Sequence, residues 1–347
     1  MEAGRIDIGT RTSPSFERRG PLGSIGRLVP AVSNRLGQIL LSTLTVAVIS
    51  TLLIFALAYF SPSNPAATKL GENATPAAIA HLNHAMGLDR GFFAQYISWI
   101  GDALKGDFGV SWFTGVPVGK SIATGLPVDL SVTGVALLMA LAMGIPAGIV
   151  AGTRRGGLLD RAINALSSAA ITLPVFWIGM VLVIVFAVKA KWLPATGYVP
   201  PSAGLWPWLS HLLLPSFALA IGVAAVVARL LRNSLVAALD ENFVVGATVR
   251  GLSPRRILFR HVLRNALAPT VTIIGLEIPQ LLGAAVVTEA LFALPGLGQL
   301  ALTAAQEHDL PVIQGVLLVM VAIVLICNLG IDALLGWLRP ATRRNHA

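Results

Sequence analysis

The sequence predicts an all-α, polytopic membrane protein with six transmembrane helices. Of its 347 residues, 55% are hydrophobic and only 12% are charged, whereas an ordinary soluble domain has roughly 25% charged residues. Six apolar runs are long enough to cross a bilayer as helices, which takes about 20 residues, and none shows the two-residue alternation of a barrel strand. These runs span residues 38–60, 129–153, 162–188, 212–231, 265–292 and 311–338.

The arginines orient these six helices. They concentrate in the two tails and in alternate connections, at Arg5, Arg11, Arg18, Arg19, Arg27, Arg35, Arg154, Arg155, Arg161, Arg250, Arg255, Arg256, Arg260, Arg264, Arg339, Arg343 and Arg344. The connection 293–310 has no Lys or Arg. Because basic connections stay inside the cell, we predict a multi-pass protein with both termini in the cytoplasm. The net charge of +9 then reflects topology, and we expect no nucleic-acid partner.

The first helix and the segment after it need separate consideration. Ala56 and Ala58 mimic a signal-peptide cleavage site, but the apolar run is longer than such a peptide needs, and a retained helix is favoured. The long outer segment 61–128 contains a helix start, with Thr75 as N-cap and Pro76 at the first helical position. An amphipathic stretch follows at residues 92–104. Three tryptophans of the next outer connection suit the membrane interface, namely Trp192, Trp206 and Trp208.

The second helix has small residues at every fourth position, Gly144, Gly148 and Gly152. This spacing allows two helix backbones to approach closely, and Pro146 lies among the three glycines. We interpret the glycines as helix-packing residues in preference to a moving hinge. The fourth helix has a similar small face, formed by Ala220, Ala224 and Ala228.

The fifth helix places Glu277 near the middle of the membrane. A carboxylate facing lipid is costly, so Glu277 either lines a translocation path or is a satisfied structural acid at a subunit interface. Glu289, nearer the membrane surface, is a second candidate for the path. In the sixth helix, the single cysteine, Cys327, is interpreted as a core residue that forms neither a disulfide nor a thiolate metal site.

Several short motifs resemble catalytic or metal sites and are discounted. Residues 114–121 have only three residues between the glycines of an apparent phosphate-binding loop, and that motif needs four. His81 and His84 lack a third metal ligand nearby, and the cluster 307–309 is interpreted as an exposed turn. We therefore expect no catalytic residues, no metal and no cofactor in this chain.

The most informative segment is the polar insert 241–269. Gly251 suits the left-handed position after a first helix over residues 240–250. Ser253 and Pro254 suit the N-cap and first position of a second helix. A simple connection needs neither this length nor this pattern.

The second predicted helix has two faces. One carries Arg256, Arg260 and Arg264, and the adjacent, more apolar face carries Ile257, Leu258, His261 and Val262. Such a helix suits anionic lipid or a groove in a cytoplasmic protein. Two helices meeting at a glycine favour the protein, since lipid binding needs no turn.

The insert resembles the cytoplasmic coupling loop of ABC-importer permeases, whose core has the pattern Ala-x-x-x-Gly. That core corresponds here to residues 247–251, followed by Leu252, Ser253 and the run 264–269. The usual Glu-Ala-Ala start is replaced by Val-Gly-Ala at 245–247, a degeneracy typical of the dipeptide/oligopeptide/nickel branch.

Other blocks agree with this family in order along the chain. They occupy residues 86–89, 106–111, 173–177, 192–194, 289–292, 295–298 and 309–311, with Asn328 and Asp332 further on. The similarity covers about residues 35–340 and looks like the B-type permease of a peptide importer. One departure is the turn 61–65, Ser-Pro-Ser-Asn-Pro, which lacks the acid of the family's Pro-Gly-Asp-Pro turn.

The resemblance implies a type I importer permease in a bacterial cytoplasmic membrane. The domains would be a disordered cytoplasmic tail at 1–34, a first helix with its outer segment at 35–128, a five-helix core at 129–338 with its coupling loop at 240–264, and a cytoplasmic tail at 339–347. The coupling residues would be Ala247, Arg250, Gly251, Leu252, Ser253, Pro254, Arg256 and Arg260. The partners would be membrane lipid, a second homologous permease, an extracytoplasmic solute-binding protein and two ATPases, which would bind the ATP.

Two kinds of alternative remain open. Within the same class of machine, the solute could be nickel or another small molecule instead of a peptide. From a different class, a secondary transporter without an ATPase predicts several buried charges and often an internal repeat. The spans contain essentially one deep acid and no convincing repeat, which favours the importer.

Overall fold

The computed structural model describes residues 28–61, 64–71 and 74–338, with side chains described from residue 41 to residue 335 except at 65, 68 and 69. The described chain is helical apart from its connections, as predicted. The predicted tail 339–347, the tail 1–27 and their arginines lie outside the described residues. Residues 28–34, which were predicted to be disordered, belong to the first helix, and this boundary is a correction.

The helices follow one another along the chain, with longer connections before α5 and before α8. They are α1 (Leu28–Tyr59), α2 (Pro65–Leu70), α3 (Pro76–Ala85), α4 (Phe92–Leu104), α5 (Val118–Thr153), α6 (Leu158–Thr172), α7 (Val175–Leu182), α8 (Leu205–Leu239), α9 (Asn242–Val249), α10 (Pro254–Ile257), α11 (Leu263–Phe292), α12 (Leu297–Glu307) and α13 (Leu310–Leu338). A π-helical segment, Val183–Lys189, extends α7, and another, Leu258–Val262, joins α10 to α11.

Five described helices are long and apolar enough to cross a membrane, and a sixth span forms if the bent pair α6 and α7 counts as one. The prediction of a single continuous third helix is wrong, because the chain bends by 103° between α6 and α7. Pro174 causes the break: it has no backbone N–H to continue α6, and it holds Leu173 in an extended conformation.

Helix α8 occupies the centre of the bundle. In its most apolar stretch 67% of the residues are buried, against 33% or less for the other four long helices. Its inward residues pack against α5, α7 and α11 in one continuous core that includes Leu212, Leu219 and Val227. The buried Ser216 hydroxyl donates to the Val132 carbonyl of α5 at 3.0 Å. This burial makes α8 the helix to which the others are attached.

Helix α1 lies at the edge of the bundle, and most of its apolar side chains that the structure describes, from Leu41 on, are exposed. It is held by α13 and by the amphipathic helix α4, whose bounds match the predicted stretch 92–104. Phe55 packs edge-on against Phe92 and Tyr96, and the Thr51 and Tyr96 hydroxyls are 2.9 Å apart. Thr75 caps α3 by accepting the Ala78 N–H, as its sequence position predicts.

The bundle has two chemically different ends. We call one the basic end, because it holds the α5–α6 connection with Arg154 and Arg155, the end of α8, and helices α9 and α10. The opposite end holds α4, the start of α5 and the short helix α12.

Candidate functional site

The turn after α9 is built around Gly251. Its φ of +74° lies in the left-handed region, which costs glycine little. The turn closes when the Gly251 N–H donates to the Thr248 carbonyl at 2.9 Å and the Leu252 N–H donates to the Ala247 carbonyl at 3.2 Å. The chain then enters α10 at Pro254. Ser253 occupies the N-cap position, but its side chain makes no capping hydrogen bond, contrary to its predicted role.

Ala247 attaches this turn to the rest of the chain. It is buried in a cluster with Leu231 and Leu235 of α8 and with Ile257 and Val262, which lead into α11. The second predicted helix is not separate, since residues 254–292 form one continuous helix through the π-helical segment. A displacement of α9 would therefore press on both α8 and α11.

The outward side of the turn is apolar and surrounded by arginines. Val245 and Val249 are 62% and 83% exposed, and Arg250, Arg255 and Arg256 are exposed beside them. We call these five residues the α9 surface. The Arg250 Nε donates to the Gly246 carbonyl at 3.1 Å, which holds that guanidinium against α9. Exposed apolar groups with a charged rim are typical of a protein-binding surface.

The face of the next helix is only partly as predicted. Arg256, Arg260 and Arg264 are exposed along one side. Ile257 and Val262 are buried, whereas His261 is exposed and does not belong to the apolar face. The reason is the π-helical segment, which adds a residue to the turn and shifts the side chains that follow.

A shallow groove of about 340 Å³ lies at the start of α9. It lies between the end of α8 and the start of α11, and it is lined mainly by small or apolar residues. Phe243, 36% exposed, contributes to its wall. The groove therefore lies at the same end of the bundle as the α9 surface.

Ion pairs connect the helices at the basic end. The Arg232 guanidinium of α8 donates to both Asp160 oxygens, at 3.0 and 2.8 Å. The Asp160 carboxylate also accepts the Gly156 N–H and the Asn164 amide, at 2.9 and 2.7 Å. The Arg155–Asp240 pair nearby, at 2.9 Å, is mostly exposed. The start of α6 is thus held to α8 by a satisfied, largely buried carboxylate.

The structure places the three glycines of α5 against α8. A Cβ atom added to Gly144 would lie 2.7 Å from the Ala224 carbonyl oxygen, and one added to Gly148 would lie 2.9 Å from that of Ala228. At Gly152 the added atom would be 3.0 Å from the Leu235 Cβ. These spacings leave no room for a side chain, so the glycines allow α5 and α8 to pack with their backbones close together.

The two acids proposed for a path have different surroundings. Glu277 is half-buried on α11, and within the described residues it makes no hydrogen bond or ion pair. Glu289 is fully buried, and it accepts the Gln299 N–H of α12 at 2.8 Å. Beside it lies the equally buried Asp129 of α5, which accepts the Leu297 N–H. Glu289 therefore holds helices together in the interior of the described chain, and its assignment to a translocation path stays a prediction.

At the same end of the bundle, Asp309 is also placed differently from the prediction. It is not part of an exposed turn but is 2% exposed. It accepts hydrogen bonds from the Ser111 hydroxyl and the Trp112 N–H. Glu307 and His308, its neighbours, are exposed as predicted. Two of the blocks that carry the family resemblance thus meet in space.

One of the two discounted histidines makes a contact at the protein surface. His84 forms an exposed ion pair with Asp89 at 2.6 Å, and this hydrogen bond lowers the pKa of the Asp89 carboxyl. Within the described residues no group of three or more His, Cys, Asp or Glu is placed to hold a metal ion.

Three residues that make these buried polar contacts were missed by sequence reasoning. Asp129, Asp160 and Arg232 carry them, and none was singled out. Asp160 offered a signal, because it is an acid in the first turn of α6, where the helix dipole favours negative charge. Asp129 offered one as well, since it opens an apolar run in which a charge needs a partner.

Comparison with known protein families matches most of the described chain. Residues 144–344 match the family described as binding-protein-dependent transport system inner membrane component. Residues 35–133 match the N-terminal region of the same kind of membrane component. The match to 144–344 begins inside α5 and includes the α9 surface.

Individual relatives match over most of their length. The probable peptide ABC transporter permease protein y4tP of Sinorhizobium fredii is 35% identical over 88% of this chain and 97% of its own. The di/tripeptide transport system permease protein DppB of Pseudomonas aeruginosa is 33% identical over 84% and 94%. The glutathione transport system permease protein GsiC of Escherichia coli is 34% identical over 88% and 97%.

A solved structure has the same fold over part of the chain. It is an inward-facing conformation of the MetNI methionine ABC transporter, with a TM-score of 0.53 and 19% identity. The match covers 63% of this chain and 96% of that chain. At this identity the likeness concerns the fold alone, and it agrees with the predicted type I importer permease fold.

Proposed function

The chain belongs to the family of binding-protein-dependent transport system inner membrane components, and from this we propose that it is the permease subunit of an ATP-binding-cassette importer of short peptides. It is a transport subunit and not an enzyme. The solute class rests on relatives named for peptides, di- and tripeptides and glutathione, each at 33–35% identity over most of the chain. Glutathione is itself a tripeptide, so these names describe one class of solute.

The α9 surface is the proposed docking site for a partner ATPase. The observation that carries this proposal is the combination of exposed Val245 and Val249 on one side of α9 with buried Ala247 on the other. The exposed side offers an apolar anchor with a basic rim. The buried side joins the cluster shared by α8 and α11. Force applied by an ATPase would therefore reach both helices directly.

We further propose that the basic end lies in the cytoplasm. The described connections at that end carry arginines, whereas the α11–α12 connection and α12 itself, at the opposite end, have no Lys or Arg. This asymmetry is the positive-inside pattern. In this orientation α4 and α12 would face the extracytoplasmic binding protein, and both termini would be cytoplasmic.

A complete importer would contain a second homologous permease, two ATPase subunits and a solute-binding protein. Glu277 remains the proposed path residue, because it is a half-buried acid on α11 that no described group pairs. An acid in that position would interact with the terminal ammonium group of a peptide. Glu289 has no part in this proposal.

Reconstitution of the chain with its partner subunits in proteoliposomes tests the function. We expect ATP-dependent accumulation of labelled di- and tripeptides when the binding protein is supplied on the outside. Accumulation without the ATPase subunits would overturn the importer assignment. Accumulation of nickel or single amino acids, with none of peptides, would overturn the peptide assignment alone.

A further inference from the structure

Two carboxyl groups from different long helices meet beneath the first turn of α12. Asp129 of α5 and Glu289 of α11 are both 0% exposed, and their side chains contact one another. Each uses one oxygen to accept an N–H from α12: Asp129 Oδ2 from Leu297, and Glu289 Oε2 from Gln299. The other two oxygens, Asp129 Oδ1 and Glu289 Oε1, are buried without a hydrogen-bond partner.

Neighbouring charges do not compensate this pair. Among the described residues, no basic side chain forms an ion pair with either carboxyl. On α5, α11 and α12, the nearest titratable residues along the chain are Lys120, Glu277 and Glu307, each eight or more positions away from the residues that make these contacts. His211 of α8 is hydrogen-bonded to the Pro207 carbonyl instead.

Two carboxylates in contact and out of water cannot both be ionised, because their repulsion and their desolvation add together. The N-terminus of α12 supplies only about half a positive charge. One proton would remove the repulsion and would also give the two unpartnered oxygens a hydrogen bond. We propose that Asp129 and Glu289 form a binding site for a single proton, shared between Asp129 Oδ1 and Glu289 Oε1.

The surrounding glycines fit this site. A Cβ atom on Gly296 would overlap the Glu289 carboxyl group, and one on Gly298 would lie 2.7 Å from the Val286 Cα. At Gly125 of α5 the added atom would be 3.1 Å from the Leu297 side chain. Glycine at these positions lets the carboxyls reach the N–H groups of α12. The protonated pair thus fastens α12 to both α5 and α11.

The proton has a thermodynamic consequence. The folded chain holds one proton that the unfolded chain releases at neutral pH, so the stability of the fold decreases as the pH rises. An amide in place of either carboxyl would donate permanently to the remaining carboxylate and would remove this dependence. This proton would be held whichever solute is transported.

The test measures thermal unfolding of the full-length chain in detergent between about pH 6 and about pH 9. The melting temperature of the wild-type chain should fall as the pH rises. Asp129→Asn and Glu289→Gln should each reduce the slope of melting temperature against pH by at least half. Glu307→Gln, which changes an exposed acid on the same α12, is the matched control and should keep the wild-type slope. Wild-type slopes in both amide variants would overturn the proposal, as would failure of both variants to fold.

Infrared difference spectra identify where the proton is. The carbonyl band of one protonated carboxylic acid should disappear in Asp129→Asn and also in Glu289→Gln, because one proton belongs to both groups. Loss of this band in only one variant would show that a single residue holds the proton. That result would overturn the proposal of a shared proton. A melting temperature that rises with sodium at constant ionic strength would also overturn it, because a metal cation would then occupy the site.

Discussion

The Ser111 hydroxyl donates a hydrogen bond to the buried Asp309 carboxylate across 198 positions of the sequence. Asp309 also accepts the Trp112 N–H, and it stands immediately before α13. One side chain therefore joins the connection that precedes α5 to the junction of α12 and α13.

Asp309→Ala should destabilise this end of the bundle by about 1–3 kcal/mol, because it leaves the Ser111 hydroxyl and the Trp112 N–H without their acceptor. Asp309→Asn keeps one acceptor oxygen and should cost less. Chemical denaturation of the purified chain measures both changes. Glu307→Gln, two residues away and exposed, is the control, and an equal loss there would show that the effect is not specific to the Asp309 contact.

Gly148→Ala should disturb the contact between α5 and α8. The new Cβ would lie 2.9 Å from both the Ala228 carbonyl oxygen and the Leu231 Cβ, and overpacking of this kind typically costs about 1–3 kcal/mol. Gly134→Ala is the matched control on the same helix, where an added Cβ meets nothing within 4 Å. The melting temperatures of the two variants should differ, with Gly134→Ala equal to or above wild type. Equal values would contradict the close packing of the two helices.

Local backbone rules account for what the sequence predicted well. Gly251 and Pro254 mark the turn after α9 by their own conformational preferences. No long-range contact is needed to locate it. The same rules, applied to Leu173 and Pro174, explain the bend that the structure shows in the third span. Hydropathy alone does not reveal that bend, because the apolar run 162–188 continues through it.

Long-range partners explain what the sequence did not reveal. Asp309 looked like part of an exposed turn because its partner, Ser111, lies far away in the chain. Asp129 and Glu289 are 160 positions apart in the sequence. Their pairing is visible only in the folded structure, where both accept hydrogen bonds from α12. A carboxylate in an apolar run signals that a partner exists, but it does not identify that partner.

Breaking the Asp160–Arg232 pair should be costly. Arg232→Met should destabilise the chain, because Asp160, with a side chain 4% exposed, would lose its charge partner. The Gly156 N–H and the Asn164 amide would still donate hydrogen bonds to the Asp160 carboxylate in this variant, and they would therefore limit the loss of stability. A double-mutant cycle with Asp160→Asn measures the coupling. The same cycle at Arg155 and Asp240, both more than half exposed, should give less than about 1 kcal/mol, and equal couplings would contradict the role assigned to burial.

Gly251→Val should uncouple ATP hydrolysis from uptake without preventing membrane insertion. A β-branched residue at φ +74° is strained, so the turn would open and the hydrogen bond from Leu252 to Ala247 would be lost. The α9 surface would then no longer be fixed to the cluster that joins α8 and α11.

The matched control for Gly251→Val is Gly246→Ala, a helical position where the added Cβ meets only the Arg250 guanidinium, at 3.7 Å. Membrane abundance, ATPase rate and peptide uptake should be measured in the same proteoliposomes. We expect Gly251→Val to keep its abundance and to lose most uptake per ATP hydrolysed, whereas Gly246→Ala should retain wild-type coupling. Normal uptake per ATP in Gly251→Val would contradict the assignment of this turn as the docking site. The substitution would then have distorted the α9 surface without impairing its coupling to the ATPase.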